Sequence, residues 1–242
     1  AMKGVDCLFH VAALKIIPTC EEFAMESIKT NLLGSWNVKK VAMQQRVAKS
    51  VFTSTDKSVE PINVYGACKM IAERMWTLTQ TEESKFSTVR YGNVIGSRGS
   101  VIPLYKSLIE KRQPIPITHP KMTRFLLTLK KSVEVIFYAM ENMAGGEVFV
   151  PDLPACNIID LPEVLGGHGY PTKYTGIRAG EKIHEVLICN DEFRRTVHKE
   201  DYHIIHPYLE AFQETYCEYS SQNTIKLTLI ELEALLKESG YL

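Results

Sequence analysis

The run Ser54-Thr55-Asp56-Lys57 is followed shortly by Val64-Tyr65-Gly66-Ala67-Cys68-Lys69. Tyr65 and Lys69 are four positions apart, so on a helix they share one face. An ammonium beside a phenol favours the phenolate and draws the Tyr pKa down from about 10 toward working pH. Such a base can take a proton from a hydroxyl while hydride leaves the same carbon. Asp56 and Lys57 add a second chemistry. An adjacent acid and base suit elimination, one removing a proton α to a carbonyl and the other protonating the departing hydroxyl. Each motif also has a plainer reading, a surface helix pair for Tyr65/Lys69 and a solvated turn for Asp56/Lys57. What favours chemistry is the sequence context, a strand, then Ser-Thr-Asp-Lys, then a helix.

The elements that would position these residues follow from local pattern. Val51-Phe52-Thr53 is short, apolar and β-branched, which predicts a buried strand with Thr55, Asp56 and Lys57 at its carboxyl end. Ligands bind at that end of open α/β sheets. Asn63 is placed to start the helix over residues 65–80. A strand over 6–11, a helix around 27–44, a strand over 50–53 and a strand over 86–91 alternate along the first half. That alternation predicts βαβ units and a parallel sheet. A helix over 133–142 and a strand over 147–150 are expected to complete it. Further expectations are a helix from about 101 to 111, no long helix through the prolines of 114–120, a strand over 173–177 and an amphipathic helix over 227–240 with a Gly stop. The predicted fold class is α/β, a Rossmann-like doubly wound sheet with a smaller substrate-binding lobe. The first domain is expected to take residues 1–96 and 125–156, the lobe 97–124 and 157–242.

The 242 residues are 45% hydrophobic with formal net charge +0. There is no basic excess, so nucleic acid and anionic membranes are poor partners. Six cysteines without a CxxC pair point to a reducing, cytoplasmic setting. No apolar run approaches the roughly 20 residues of a membrane span, and no signal peptide is recognisable. His203-Ile204-Ile205-His206, with His198 nearby, could suggest a metal. No Cys or carboxylate cluster in the sequence completes a tetrahedral set, so no metal is expected, and the segment reads as a strand edge in the C-terminal lobe.

The motifs together resemble the extended short-chain dehydrogenase/reductases, and more narrowly the UDP-N-acetylglucosamine 4,6-dehydratases of bacterial surface-polysaccharide and flagellin-glycan synthesis. The matching stretches are Phe9-His10-Val11-Ala12-Ala13-Leu14-Lys15, Lys29-Thr30-Asn31-Leu32-Leu33-Gly34, the 54–69 block, the 89–101 run RYGNVIGSRGSV after Val89, Met122-Thr123-Arg124-Phe125, Gly146–Pro151, and Gly176-Ile177-Arg178-Ala179-Gly180-Glu181-Lys182-Ile183-His184-Glu185. The resemblance implies that Tyr65 takes the proton of a sugar 4-hydroxyl while a nicotinamide takes hydride from C4. Lys69 would hold the cofactor ribose and tune Tyr65, and Thr55 would bond the reacting hydroxyl. Lys57 would remove the C5 proton and Asp56 would protonate the leaving 6-hydroxyl. In some relatives C5 is reprotonated on the opposite face.

The implied cofactor is NADP, with NAD as the alternative, held by Val11, Ala12, Ala13, Thr53, Ser54, Tyr65, Lys69, Tyr91 and Val94. The implied substrate is a UDP-N-acetylhexosamine, gripped by Lys15, Asn93, Arg98, Gly99, Ser100, Val101, Ile102, Arg124, Arg178 and Glu181. Arg forks suit a diphosphate, and a Gly99 loop lets backbone N–H groups approach phosphate. A homo-oligomer is expected.

Two features depart from the family pattern. Ile16-Ile17 stands where the family has His-Val, which alters a polar contact near the sugar. The glycine-rich fingerprint that cradles a dinucleotide pyrophosphate is absent from these 242 residues. The expectation is a sheet lacking its first three strands, on the order of 60–80 residues, and a chain that alone binds NADP weakly and turns nothing over. A UDP-sugar 4-epimerase is the alternative enzyme, and a non-catalytic UDP-sugar-binding fragment is the alternative outside catalysis. An epimerase has no use for an Asp-Lys elimination pair.

Overall fold

A computed structural model of the chain describes residues 2–207 and 217–242. Its contacts divide it into two compact units, Ala1–Tyr91 with Val133–Asp152 and Val186–Glu218, and Gly92–Ser132 with Leu153–Glu185 and Tyr219–Leu242.

In the first unit, β1 (Cys7–His10), β2 (Lys49–Thr53) and β3 (Lys85–Val89) run parallel, as expected of βαβ units. Residues 50–53 of β2 are buried, as befits a strand covered on both faces. Between β1 and β2 lie α1 (Ile17–Glu22), which the sequence pattern did not announce, then α2 (Ala24–Ser27), a π-helical stretch Ile28–Leu33 and α3 (Gly34–Gln44). The catalytic-motif helix is α4 (Val64–Leu78). Asn63 caps it, Oδ1 accepting from Gly66 N at 2.7 Å, and Glu21 Oε1 accepts from Val64 N at 2.6 Å. At the other end the buried Lys39 ammonium donates to the carbonyls of Met75, Trp76 and Thr79. A cation there complements the helix dipole. Trp76 and Phe52 stack beneath α4, with Phe86 against the Trp edge.

The second unit contains β4 (Asn93–Val94), α5 (Val101–Glu110), β5 (Ile115–Ile117) and β6 (Thr123–Leu127). The helix α6 (Leu129–Asn142) follows. It starts earlier than expected, and its Val135, Ala139 and Met140 pack against Val89 and Phe149 of the first unit's core. Next come β7 (Val148–Pro151), beside β3 in the main sheet, and β8 (Ala155–Asn157), paired antiparallel with β6. In the second unit α7 (Leu161–Gly166) precedes β9 (Thr172–Tyr174), which pairs with β5. Back in the first unit are β10 (Val186–Ile188), α8 (Asn190–Phe193), β11 (Thr196–Lys199) and β12 (Tyr202–Ile205). The chain closes on α9 (Leu229–Glu238), capped by a reciprocal Thr228–Glu231 box, with Leu232 and Leu236 in the second unit's core.

Two sequence expectations are corrected here. The histidine segment is not an edge of the C-terminal lobe. As β12 it pairs antiparallel with β7, and β11 follows, giving the order β1-β2-β3-β7-β12-β11. Tyr202 and Ile204 pack into the same apolar cluster as Phe149, and that burial draws the hairpin onto the sheet. The unit boundaries move for the same kind of reason. Residues 92–96, 125–132 and 153–156 group with the second unit, because β4 and β8 both pair with β6, whereas 186–218 group with the first.

Candidate active site

The expected catalytic residues converge at the carboxyl end of β2. Thr55 leaves the strand extended and caps a single 3-10 turn, Asp56–Ser58. The turn is tied to its neighbours by Ser54 N to Val89 O (2.7 Å), Asp56 N to Tyr91 O (3.1 Å) and Ser58 Oγ to Thr55 O (2.6 Å). Gly66 of α4 lies against it so closely that a Cβ there would stand 2.1 Å from Lys57 O. This glycine, unremarked in the sequence reading, is what lets the Tyr65 helix and the Asp56-Lys57 turn share one site.

Asp56 is fully buried. Its Oδ1 accepts from Lys57 Nζ at 2.9 Å and from Thr55 Oγ1 at 2.9 Å. Its Oδ2 is buried and makes no hydrogen bond among the described residues. A buried carboxylate oxygen left open costs free energy unless something donates to it.

Tyr65 is also buried, and here one expectation is corrected. Burial pushes its phenol up to about 12, outweighing the Lys57 charge and a Thr55 hydrogen bond, which lower it. Lys69 is not among the groups that draw it down. The Lys69 ammonium donates to Thr53 O at 2.7 Å and lies 4.3 Å from the Phe52 ring centre. Burial lowers its pKa to about 7, with Glu73 opposing. His10, at the end of β1, bonds Ser35 and stacks on Phe52 and Trp76, and burial followed by the Lys69 charge lowers its pKa to about 4.

Lys15 joins this group. Its backbone neighbour Leu14 is held on both sides by Asn31, whose Oδ1 accepts from Leu14 N (2.8 Å) and whose Nδ2 donates to Leu14 O (2.7 Å). Asn31 lies in the π-helical stretch, a local irregularity common at functional sites. Burial, then the nearby Lys57 ammonium, lowers the Lys15 pKa. Val11, Ala12 and Ala13 lead from β1 into this loop, the first two exposed.

The remaining expected contacts fall in the second unit. Arg98 and Gly99 (φ 73°) form an exposed turn before α5. Ser100 occupies the N-cap position of α5 without capping it, and its Oγ is buried without a partner among the described residues. Val101 and Ile102 open the helix. An uncapped N-terminus with a spare hydroxyl is a fit for an anion. Asn93 and Val94 form β4.

Arg178 is largely exposed and pairs with Glu181 at 2.9 Å. Burial pushes the Glu181 carboxyl up, but its bonds from Arg178 outweigh this and leave it below its ordinary value. Arg124 differs from expectation. It is buried, and its two Nη atoms donate to the carbonyls of Thr123, Ile183 and Lys182. Its fork is spent on the backbone and ties β6 to the 182–185 segment.

A buried ion network that the sequence reading missed braces α4. Arg90 bonds both oxygens of Glu73 and of Glu192, and donates to Leu187 O at 2.7 Å. The signal was present as three scattered charges, but nothing in their spacing joins them.

A parallel sheet with a Ser-Thr strand end and a Tyr-x-x-x-Lys helix beside it is the pattern by which the chain resembles the extended short-chain dehydrogenase/reductases, and solved structures share the fold. Pen from Bacillus thuringiensis superposes with a TM-score of 0.92 at 36% identity, over 100% of this chain and 77% of that one. The model of the family described as "Polysaccharide biosynthesis protein" matches residues 1–207, and the chain belongs to that family. It is 38% identical over its whole length to a Methanocaldococcus jannaschii protein named an uncharacterised membrane protein, covering 77% of it. It is 41% identical to a UDP-N-acetylglucosamine 4,6-dehydratase (inverting) of Campylobacter jejuni, over 86% of this chain and 63% of that one. A UDP-glucose 4-epimerase of Rickettsia canadensis is 40% identical over 100% of this chain and 76% of its own length. No helix among the described residues is long and apolar enough to cross a membrane.

Proposed function

We propose that the chain carries the catalytic centre of a cytoplasmic UDP-N-acetylglucosamine 4,6-dehydratase of surface-glycan synthesis that uses a nicotinamide dinucleotide, NADP as the resemblance implies. The observation that carries this reading is buried Asp56, paired with the part-exposed Lys57 and keeping an open carboxylate oxygen, beside Tyr65. When bound, the dinucleotide would supply the hydride chemistry, as acceptor from C4 and donor to C6. Lys69 fits it, because a buried ammonium with three protons meets one carbonyl and one ring face.

The protein's own groups account for the protons. Thr55 and Tyr65 face the 4-hydroxyl, and the Lys57 charge and the Thr55 bond favour the phenolate that Tyr65 must become. With C4 a ketone, the C5 proton is acidic. Lys57 Nζ stands 2.9 Å from Asp56 Oδ1, within reach to hand it one proton. Moved from nitrogen to oxygen, it leaves an amine and a carboxylic acid. The amine takes the C5 proton, the acid gives its proton to O6, the C6–O bond breaks and water leaves. The pair ends as ammonium and carboxylate, as it began.

The test is Lys57→Ala in a form of the protein that binds the dinucleotide. Oxidation at C4 persists, loss of the C5 proton stops, and reduced nicotinamide accumulates as a stable absorbance. Ordinary dehydration by this variant defeats the reading. The 40% identity to an epimerase keeps 4-epimerisation as a second reading. NMR of the product separates the two, a 4-keto-6-deoxy sugar against a C4 epimer.

A further inference from the structure

The structure joins three residues that lie far apart in sequence and that the catalytic proposal does not use. His198 of β11 and His203 of β12 are directly opposite each other in the antiparallel ladder. Their side chains therefore leave the sheet on one face, with ring centres 4.5 Å apart. Asp152 follows the last residue of β7, and its backbone N donates to Asp201 O at 2.9 Å, which fixes it beside the β11–β12 turn. Its Oδ2 lies 2.8 Å from His198 Nε2 and its Oδ1 3.0 Å from His203 Nε2. One ligand atom from each residue falls within 4.8 Å of the other two.

We propose that Asp152, His198 and His203 bind a divalent first-row transition metal of the zinc type. Two imidazoles and one carboxylate are a donor set for such ions rather than for Mg²⁺ or Ca²⁺, which take oxygen. Bond lengths of about 2.0–2.2 Å to zinc put tetrahedral donors about 3.4 Å apart. The imidazole nitrogens stand 2.8 Å and 3.0 Å from different oxygens of Asp152, so side-chain rotation must bring one donor from each residue to that spacing. A second observation points the same way. Asp152 Oδ1 is buried and makes no hydrogen bond among the described residues, although His203 Nε2 lies 3.0 Å away. His198 and Asp152 are each about half exposed, at 50% and 41%, so an ion can enter and a fourth position stays open to water or an external ligand. The bound metal would pin the β11–β12 hairpin to the end of β7. This inference does not depend on the proposed reaction.

The test uses tag-free protein stripped with a chelator and titrated with Zn²⁺ by isothermal calorimetry, alongside H198A and D152N. His198 is on the edge strand and half exposed, and Asn keeps the shape of Asp, so thermal melting without metal should be near wild type for at least one variant. The expected result is one saturable Zn²⁺ per chain, weakened in each variant by at least the 10–100-fold that loss of a supporting shell alone costs. Co²⁺ should give a tetrahedral visible spectrum in wild type that H198A lacks. Absence of a stoichiometric site overturns the proposal. So does equal binding by wild type and both variants, or equal binding of Mg²⁺.

Discussion

Replacing Lys69 by Met should make the protein more stable at pH 6, although Lys69 lies at the centre of the proposed site. The ammonium is buried, 3% exposed, between the Phe52 ring and Thr53 O. Burial lowers its pKa from 10.5 to about 7. At about 1.36 kcal/mol per pH unit, the charged form is about 5 kcal/mol less favourable in the fold than in the unfolded chain. Met keeps the apolar contacts and removes that penalty, but loses the hydrogen bond to Thr53 O, worth about 1–3 kcal/mol. The net gain is about 2–4 kcal/mol at pH 6, where wild type carries the charge in both states. Between pH 7 and 10.5 the unfolded chain holds a proton that the native state does not, so wild-type stability rises with pH. The advantage of Lys69→Met should shrink across that window and reverse near pH 10.5, where only the lost bond remains. Urea unfolding followed by tryptophan fluorescence is the assay, since Trp76 stacks on the same Phe52 ring. A variant less stable than wild type at pH 6, or a difference that does not change with pH, refutes the argument.

Three further outcomes follow from the packing around α4. Gly66→Ala should cost upwards of about 1–3 kcal/mol in urea unfolding, because the new Cβ meets the Lys57 carbonyl at 2.1 Å and must push the Tyr65 helix off the Asp56-Lys57 turn. Asn63→Ala removes the cap on Gly66 N and should cost about 1 kcal/mol by the same measurement. Glu192→Gln leaves Arg90 short of a buried partner and should cost about 3–5 kcal/mol at pH 7. Burial raises the Glu192 carboxyl, but Arg90 pulls it down to about 2. Its contribution is therefore present above about 4.5 and lost as pH falls toward 2, and the gap between wild type and Glu192→Gln should narrow over that range in acid titration of the unfolding midpoint.

The parts of this fold that were legible in the sequence are those where a local pattern and a tertiary role coincide. Strand β2 reads as buried because it is β-branched and apolar, and it is buried on both faces. Helix α4 announces its start with Asn63, and Asn63 does cap it. The His203–His206 segment was read as a strand edge but assigned to the C-terminal lobe, because its partner β7 lies about fifty residues earlier and nothing local names it. A similar distance hid Asp152 from the histidines, and a longer one hid Glu192 from Arg90. Side-chain direction was beyond spacing altogether. Tyr65 and Lys69 do share the buried face of α4, yet the ammonium turns to Thr53 O and Phe52. Arg124 has the right type for a diphosphate but spends its donors on three carbonyls.

Some of the places where local rules and the fold disagree fall on residues proposed for function. Lys69 is a charge held in an apolar pocket, Asp56 Oδ2 and Ser100 Oγ are buried polar atoms without partners among the described residues, and the Tyr65 phenol is held far from its useful state. Each costs stability in the folded chain. Arg90, by contrast, is as deeply buried but satisfied by two carboxylates and a carbonyl. Proteins relax consistency between sequence and fold mainly where function requires it. A buried ammonium with protons to spare, an open carboxylate oxygen and a spare hydroxyl at a helix N-terminus each become satisfied when polar ligand atoms arrive. Within the first unit, the open groups at the end of β2 suit ligand hydroxyls; within the second, the spare Ser100 hydroxyl at the start of α5 suits an anion.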